Sequence, residues 1–285
     1  MSTVQKRNTS THALVLGGGG VTGIAWEIGV LVGLLEAGVA LRQADTVIGT
    51  SAGSFVGAAF ASSYDMSQLF VAQSEPSDTE IPVTASAETT AAWYKAFVTG
   101  GSDRQRVGAA FGAIAKADPE PVPTAQRRSA IEARLVTTSW PMTLKVTAID
   151  ADTGQLHVFD QTSGVSLVEA VSASGAVPGV WPLVYIEGRP WIDGGMVSTT
   201  NARLADGYER VVVLAPMPTG YGAIPRAAED VRAMSAAANV FLIAPDEQSI
   251  AAIGPNPYDP ERRSTVATAG RRQGTEMAAD VQAMW

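Results

Sequence analysis

Three glycine-bearing segments hold the residues best suited to chemistry. Gly49-Thr50-Ser51-Ala52-Gly53 has the form of a nucleophile elbow. There a serine sits on a sharp strand-to-helix turn, and the flanking glycines leave room for neighbouring chains. Such a turn puts Ser51 at a helix N-terminus, where backbone N–H groups favour developing negative charge. A chain with 28 glycines can match so short a pattern by accident, and the plain alternative is a small-residue turn. Gly18-x-Gly20-x-x-Gly23 also reads two ways. A dinucleotide fingerprint requires an acid at the end of the second strand, but Asp45 precedes that strand and Gly49-Thr50-Ser51 ends it. The other reading is an oxyanion loop, with the N–H groups of Gly18, Gly19 and Gly20 turned toward a carbonyl beside Ser51. A simple tight turn remains the structural alternative.

A serine nucleophile needs a base. The chain has 2 histidines. His12 opens the first apolar run, about 15 Å from the glycine loop at ~3.3 Å per residue. His157 falls mid-strand, where a hydrogen-bonded structural role is the ordinary one. Asp193, in Trp191-Ile192-Asp193-Gly194-Gly195, ends an apolar strand and is the next candidate. By itself Asp-Gly signals only a turn, and at its reference pKa of ~3.9 an aspartate is a feeble base.

The elements that must position these residues follow from periodicity. His12 to Leu16 reads as a buried parallel strand, and residues 23–37 as a helix with apolar Ile24, Ile28, Leu31 and Leu35 on one face. Thr46 to Ile48 gives a second strand, followed by a helix of small residues to about Ser63. Residues 144–149 and 156–159 form a hairpin around Asp150-Ala151-Asp152-Thr153-Gly154. A strand enters Asp193, residues 210–215 form another, and the tail from Asp259 is helical. Strand, helix, strand, helix in short succession indicates an open, mainly parallel sheet. One domain is expected, with a core over about 12–215, a helical cap inserted over about 75–130 and broken at Gly100-Gly101, and a helical segment over about 225–285.

Composition narrows the class. A hydrophobic fraction of 46% supports a sizeable core, and 20 basic against 28 acidic residues, net −8, argue against nucleic acid or a polybasic membrane anchor. With no cysteine, disulfides and thiolate chemistry are excluded. The polar stretch 1–12 lacks the apolar region of a signal peptide. The apolar stretch 13–41 carries Glu27, Glu36 and a glycine cluster, so it reads as strand plus helix rather than a membrane span. The expected location is cytoplasmic, with peripheral contact to a membrane through apolar side chains compatible with it.

Taken together, the glycine loop, the elbow and Asp193-Gly194-Gly195, in that order, resemble the patatin-like phospholipases. Ser172-Ala173-Ser174-Gly175-Ala176-Val177-Pro178-Gly179-Val180-Trp181-Pro182 is similar to that family's small-residue segment before the aspartate. The resemblance covers about 12–63 and 144–215. It implies a three-layer α/β/α fold with a mainly parallel central sheet, and a Ser51–Asp193 dyad that needs no histidine. It also implies an oxyanion hole from Gly18, Gly19, Gly20 and Ala52, motif positions at Gly23, Gly49, Gly53, Gly194 and Gly195, and a lipid acyl-ester substrate. It calls for no metal or organic cofactor. One position departs, since the family usually carries Arg or Lys where Thr22 stands. The rival expectations are a weakly active or non-catalytic lipid-binding member, a Ser–His–Asp esterase using His157, and, disfavoured by the second strand, a nucleotide-binding oxidoreductase.

Overall fold

The structure, a computed structural model, describes residues 11–77, 79–220 and 224–285; most of the polar N-terminal stretch lies outside them. The chain runs β1 (His12–Leu16), α1 (Gly20–Glu36), β2 (Thr46–Thr50), α2 (Ala52–Ala61) and α3 (Met66–Ala72). Then come α4 (Ala87–Gly100), α5 (Arg104–Ala117) and α6 (Thr124–Arg134). Next are β3 (Leu144–Asp150), β4 (Leu156–Phe159), α7 (Leu167–Ser174), β5 (Val184–Ile186) and β6 (Arg189–Asp193). The order closes with β7 (Arg210–Leu214), α8 (Ala227–Met234), β8 (Asn239–Ile243), α9 (Glu247–Ile253) and α10 (Arg263–Met284).

Eight strands form one sheet, in which β8, β7, β1, β2 and β3 are parallel neighbours. Alternation along the strands sorts side chains to two faces. Leu14, Leu16, Val47, Val146, Val212 and Leu214 meet residues of α1, α2, α7 and α10. Ala13, Val15, Ile48, Val211 and Val213 face the opposite way, toward Ala202, Ala205 and Met234 of α8. On that second face Ile149 and Ile192 pack against Ala96, Val107 and Phe111 of α4 and α5. The result is the three-layer α/β/α sandwich. The break anticipated at Gly100-Gly101 is the turn between α4 and α5, where Gly101 has φ 59°.

The register of β3 decides where the chemistry lies. Gly49 and Thr50 of β2 pair with Val146 and Thr147, which on their other edge pair with Phe159 and Val158 of β4. Ala148 pairs with His157 of β4 and with Asp193 of β6. β6 therefore lies on the same edge of β3 as β2 and runs antiparallel toward it. Thr50 ends opposite Thr147, and Asp193 ends opposite Ala148. Two strands distant in sequence thus meet end to end.

Two expectations are revised here. Residues 225–285, read as helical, include β8, which extends the sheet beyond β7. The C-terminal helix is also built into the core. A Cβ on Gly29 would lie 2.1 Å from the Ala267 carbonyl oxygen and one on Gly33 2.3 Å from that of Arg271. From the other side, one on Gly270 would lie 2.4 Å from the Trp26 oxygen and one on Gly274 2.3 Å from that of Val30. Four glycines let the α1 and α10 backbones touch. Alanine is the better helix former by ~1 kcal/mol, yet overpacking costs about 1–3 kcal/mol. Gly29→Ala and Gly270→Ala are therefore expected to lower the midpoint of urea unfolding with an unchanged m-value. A raised midpoint would show that the two helices have room to part.

Candidate active site

Ser51 follows β2 and caps α2 with φ 52° and ψ −116°, a conformation that costs a non-glycine residue on the order of 1–3 kcal/mol. Its neighbours make no other path available. A Cβ on Gly49 would lie 2.5 Å from the Gly53 oxygen, and one on Gly53 2.1 Å from that of Leu16. Hydrogen bonds lock the turn. The Ser51 N–H donates to Ser174 Oγ at 2.9 Å, Ser54 Oγ donates to the Ser51 carbonyl at 2.6 Å, and the Gly53 N–H donates to the Gly17 carbonyl at 2.9 Å.

Asp193 is 1% exposed and Ser51 8%. Asp193 Oδ1 accepts from the Gly195 N–H at 2.6 Å. Oδ2 is buried without a conventional hydrogen-bond partner. The Ser51 hydroxyl acts on this carboxylate from beyond formed hydrogen-bond geometry, as is common before substrate binds. Burial raises the carboxyl pKa to about 7, and the Ser51 hydroxyl, the Gly195 N–H and the charge of Arg127 restrain the rise. The carboxyl group is thus poised near neutrality, well above the reference value.

Gly194 must be glycine because a Cβ there would lie 2.4 Å from Thr147 Oγ1. Asn201, in left-handed conformation at φ 51°, donates through Nδ2 to Thr50 Oγ1 at 3.0 Å and to the Gly194 carbonyl at 3.1 Å. Thr50 and Thr147 hydroxyls are 2.9 Å apart. This cluster clamps the ends of β2, β3 and β6. Neither Asn201 nor its role carries a sequence motif; Ser174 falls within the quoted small-residue segment.

The glycine loop abuts Ser51, since a Cβ on Gly18 would approach Ser51 Cβ to 3.3 Å. Gly18, expected as a donor, gives its N–H to the Thr199 carbonyl at 2.7 Å, so in this conformation it shapes the loop. Gly19, Gly20 and Ala52 stand at the starts of α1 and α2, where helix geometry leaves N–H groups without partners. Among the described residues none of the three has an acceptor outside its own helix. Gly23 gives its N–H to the Gly19 carbonyl at 2.8 Å, closing the loop onto α1.

His157 is exposed on β4 and packs its ring on Phe159 and Trp191. It lies across β3 from Asp193, two strand spacings or about 10 Å away. His12 Nε2 contacts the Trp285 carbonyl oxygen at 3.1 Å. The geometry brings neither to Ser51. Ser51, Asp193 and Gly18–Gly20 open onto a cavity of about 330 Å³. Its wall is mainly apolar: Trp93, Tyr94, Phe97, Phe111, Val177, Met196, Met217 and Ile224. Among the described residues no helix is long and apolar enough to cross a membrane.

Residues 14–206 match the family model described as patatin-like phospholipase. The chain belongs to that family. Among solved structures, VipD from Legionella pneumophila is similar over 95% of this patatin-like chain and 67% of its own, with TM-score 0.50 and 14% identity. The type III effector protein ExoU is similar over 96% of this chain and 53% of its own, with TM-score 0.44 and 17% identity. A chain of the heterodimeric ExoU–SpcU complex from Pseudomonas aeruginosa gives 96%, 52%, 0.43 and 17%. The patatin-like chain spans about half the length of these last two. At such identities the likeness is one of fold. Among curated proteins no match is found.

The raised pKa of Asp193 makes a stability prediction. The native state holds this proton to about pH 7, the unfolded chain only to ~3.9. The contribution to stability is therefore full below about pH 4 and is lost as pH rises to 7, by on the order of a few kcal/mol. Asp193→Asn escapes that loss. Its thermal midpoint should exceed that of the wild type at pH 8, by a margin that shrinks as pH falls toward 4. A margin constant across that range would mean that Asp193 is not desolvated.

Proposed function

We propose that this patatin-like protein is a serine hydrolase that cleaves fatty-acyl esters of lipids through Ser51 and Asp193. The observation that carries this reading is the buried carboxylate of Asp193, with an unsatisfied oxygen, beside the hydroxyl of Ser51, whose backbone is held at positive φ. Asp193 takes the Ser51 proton as Oγ attacks the ester carbonyl. The tetrahedral oxyanion lies against the N–H groups of Gly19, Gly20 and Ala52, at two helix N-termini. Collapse breaks the ester C–O bond, and Asp193 returns the proton to the leaving alcohol. Water then adds to the acyl-serine and gives a proton to Asp193; on collapse Ser51 recovers a proton and the fatty acid departs. The apolar cavity supports the acyl assignment, because each buried methylene contributes ~0.8 kcal/mol.

Ser51→Ala and Asp193→Asn should each abolish ester hydrolysis in folded protein. The double variant should be about as inactive as either single one, since members of one catalytic unit lose activity non-additively. His157→Gln should retain turnover within a few-fold. A loss of about a thousandfold there would instead fit a triad. The kcat/KM profile should rise with pH through an acid limb near 7, because only ionised Asp193 accepts the proton.

The helices between β2 and β3 supply Trp93, Tyr94, Phe97 and Phe111 to the cavity. Trp93 is fixed by donation from Nε1 to the Pro178 carbonyl at 2.9 Å, while Tyr94 is 72% exposed. We infer that this cap grips the acyl chain. Trp93→Ala should lower kcat/KM for a long-chain ester far more than for a short soluble one. Equal proportional losses would leave the cap as scaffolding.

A further inference from the structure

A second, narrower cleft shares Ser51, Gly20, Val177 and Tyr258 with the apolar cavity, and a cation lines it. Arg127 of α6 is 8% exposed, and its guanidinium stacks over Trp181 at 3.8 Å from the ring centroid. A Cβ on Gly175 would lie 3.4 Å from Arg127 Nη2. Gly175 follows Ser174, whose hydroxyl accepts the Ser51 N–H. Arg127, Gly175, Trp181 and Tyr258 line this cleft together with Ser51 and Gly20.

A buried guanidinium is normally paired. Among the described residues no carboxylate lies within ion-pairing distance of Arg127, and its side chain donates no hydrogen bond within the protein. The nearby acids are otherwise engaged. Glu80 is bound by Arg134 at 2.6 Å and approached by Arg263 at 3.9 Å. Asp193 feels the Arg127 charge without contact. Burial and the neighbouring charge of Arg134 push the Arg127 pKa down to about 9; at neutral pH the side chain stays charged. Tyr258, 9% exposed, likewise has no hydrogen-bond partner for its hydroxyl among the described residues, and its ring meets Trp181 edge-on. Two held donors thus face one cleft. Its volume is about 20 Å³, which admits one or two oxygen atoms and excludes an acyl chain.

We propose that Arg127, with the Tyr258 hydroxyl, is the anion receptor of this site. It takes a phosphate oxygen of the substrate headgroup while the acyl chain occupies the apolar cavity and the ester carbonyl sits on Ser51. This specificity role rests on the hydrolase reading above. Arg127 selects acyl esters that carry an anion close to the scissile bond over neutral esters of the same chain length.

The test compares lysophosphatidate with monoacylglycerol of the same short chain, both below their micelle concentrations, at pH 8, where Asp193 is ionised. Wild type should prefer lysophosphatidate. In Arg127→Met the ratio of the two kcat/KM values should fall by about 10- to 100-fold, the range of a lost charge-assisted hydrogen bond. Arg127→Lys should recover part of it, since it keeps the charge but not the planar fork. Equal losses on both esters, with no recovery in Arg127→Lys, would overturn the proposal and leave Arg127 as a packing element on Trp181. Calorimetry in a Ser51→Ala background reads the receptor without turnover. Lysophosphatidate should bind, and adding Arg127→Met should weaken it about 10- to 100-fold; unchanged affinity would overturn the proposal. If the wild type hydrolyses neither ester, the hydrolase reading fails, and this binding result still decides the anion site. Glycerol 3-phosphate separates the two sources of phosphate. Weaker binding than lysophosphatidate supports a lipid headgroup, and equal binding would overturn the lipid assignment in favour of a free phosphate ester.

Discussion

A desolvated carboxylate with one oxygen left unsatisfied is the constraint around which the rest of this molecule is arranged. Asp193 loses its hydration and receives one backbone N–H in return. Left to itself such a group would take up a proton or move out to water. It does the first, holding a proton up to about pH 7, but not the second, because β6 is pinned to β3 at Ala148 and Ile149 and Asn201 ties the following turn to Thr50. Ser51 is held against it with equal firmness. Its positive φ is enforced by backbone crowding at Gly49 and Gly53 and by the Ser174 hydroxyl on its N–H. Two unfavourable local states, one electrostatic and one conformational, persist because the sheet register has no room for either to relax.

How much of this was legible depended on how local each constraint is. The elbow, the glycine loop and the Asp-Gly-Gly turn announce themselves because each needs glycine at a fixed offset, for reasons visible here as contacts of 2.1–2.5 Å around Gly49, Gly53 and Gly194. The hairpin of β3 and β4 was legible from its Asp-rich turn, where Asp150 Oδ1 accepts from the N–H groups of Asp152 and Thr153. β8 was not. Val240 to Ile243 is a four-residue apolar run, and periodicity alone does not separate so short a strand from buried helix. The commitment of the Gly18 N–H to Thr199 was hidden too, since it depends on a loop almost two hundred residues away. The raised pKa of Asp193 comes from burial, which no single residue encodes.

Arg127 was invisible for the same reason. On α6 it is one of several basic residues, Arg128 and Arg134 among them, and those two find carboxylates in Glu132 and Glu80. What singles Arg127 out is the absence of such a partner, a property of the packed protein. The glycine loop explains why a cation should come from there. Thr22, where the family resemblance suggested Arg or Lys, is fully buried, and its N–H and hydroxyl both reach the Pro257 carbonyl, at 3.0 and 3.3 Å. A long basic side chain at this position has no space without displacing residues 256–258. That segment places Tyr258 in both cavities. The C-terminal part of the chain therefore fills the position from which a loop cation would act, and α6 brings a charge to the cleft that Ser51 shares with Gly20 and Tyr258. Positive field reaches Ser51 and Asp193 in either arrangement. Here, however, it arrives on a helix between β2 and β3, alongside the aromatic residues that line the apolar cavity, so any motion of these helices would alter the charge beside Asp193 as well as access to Ser51.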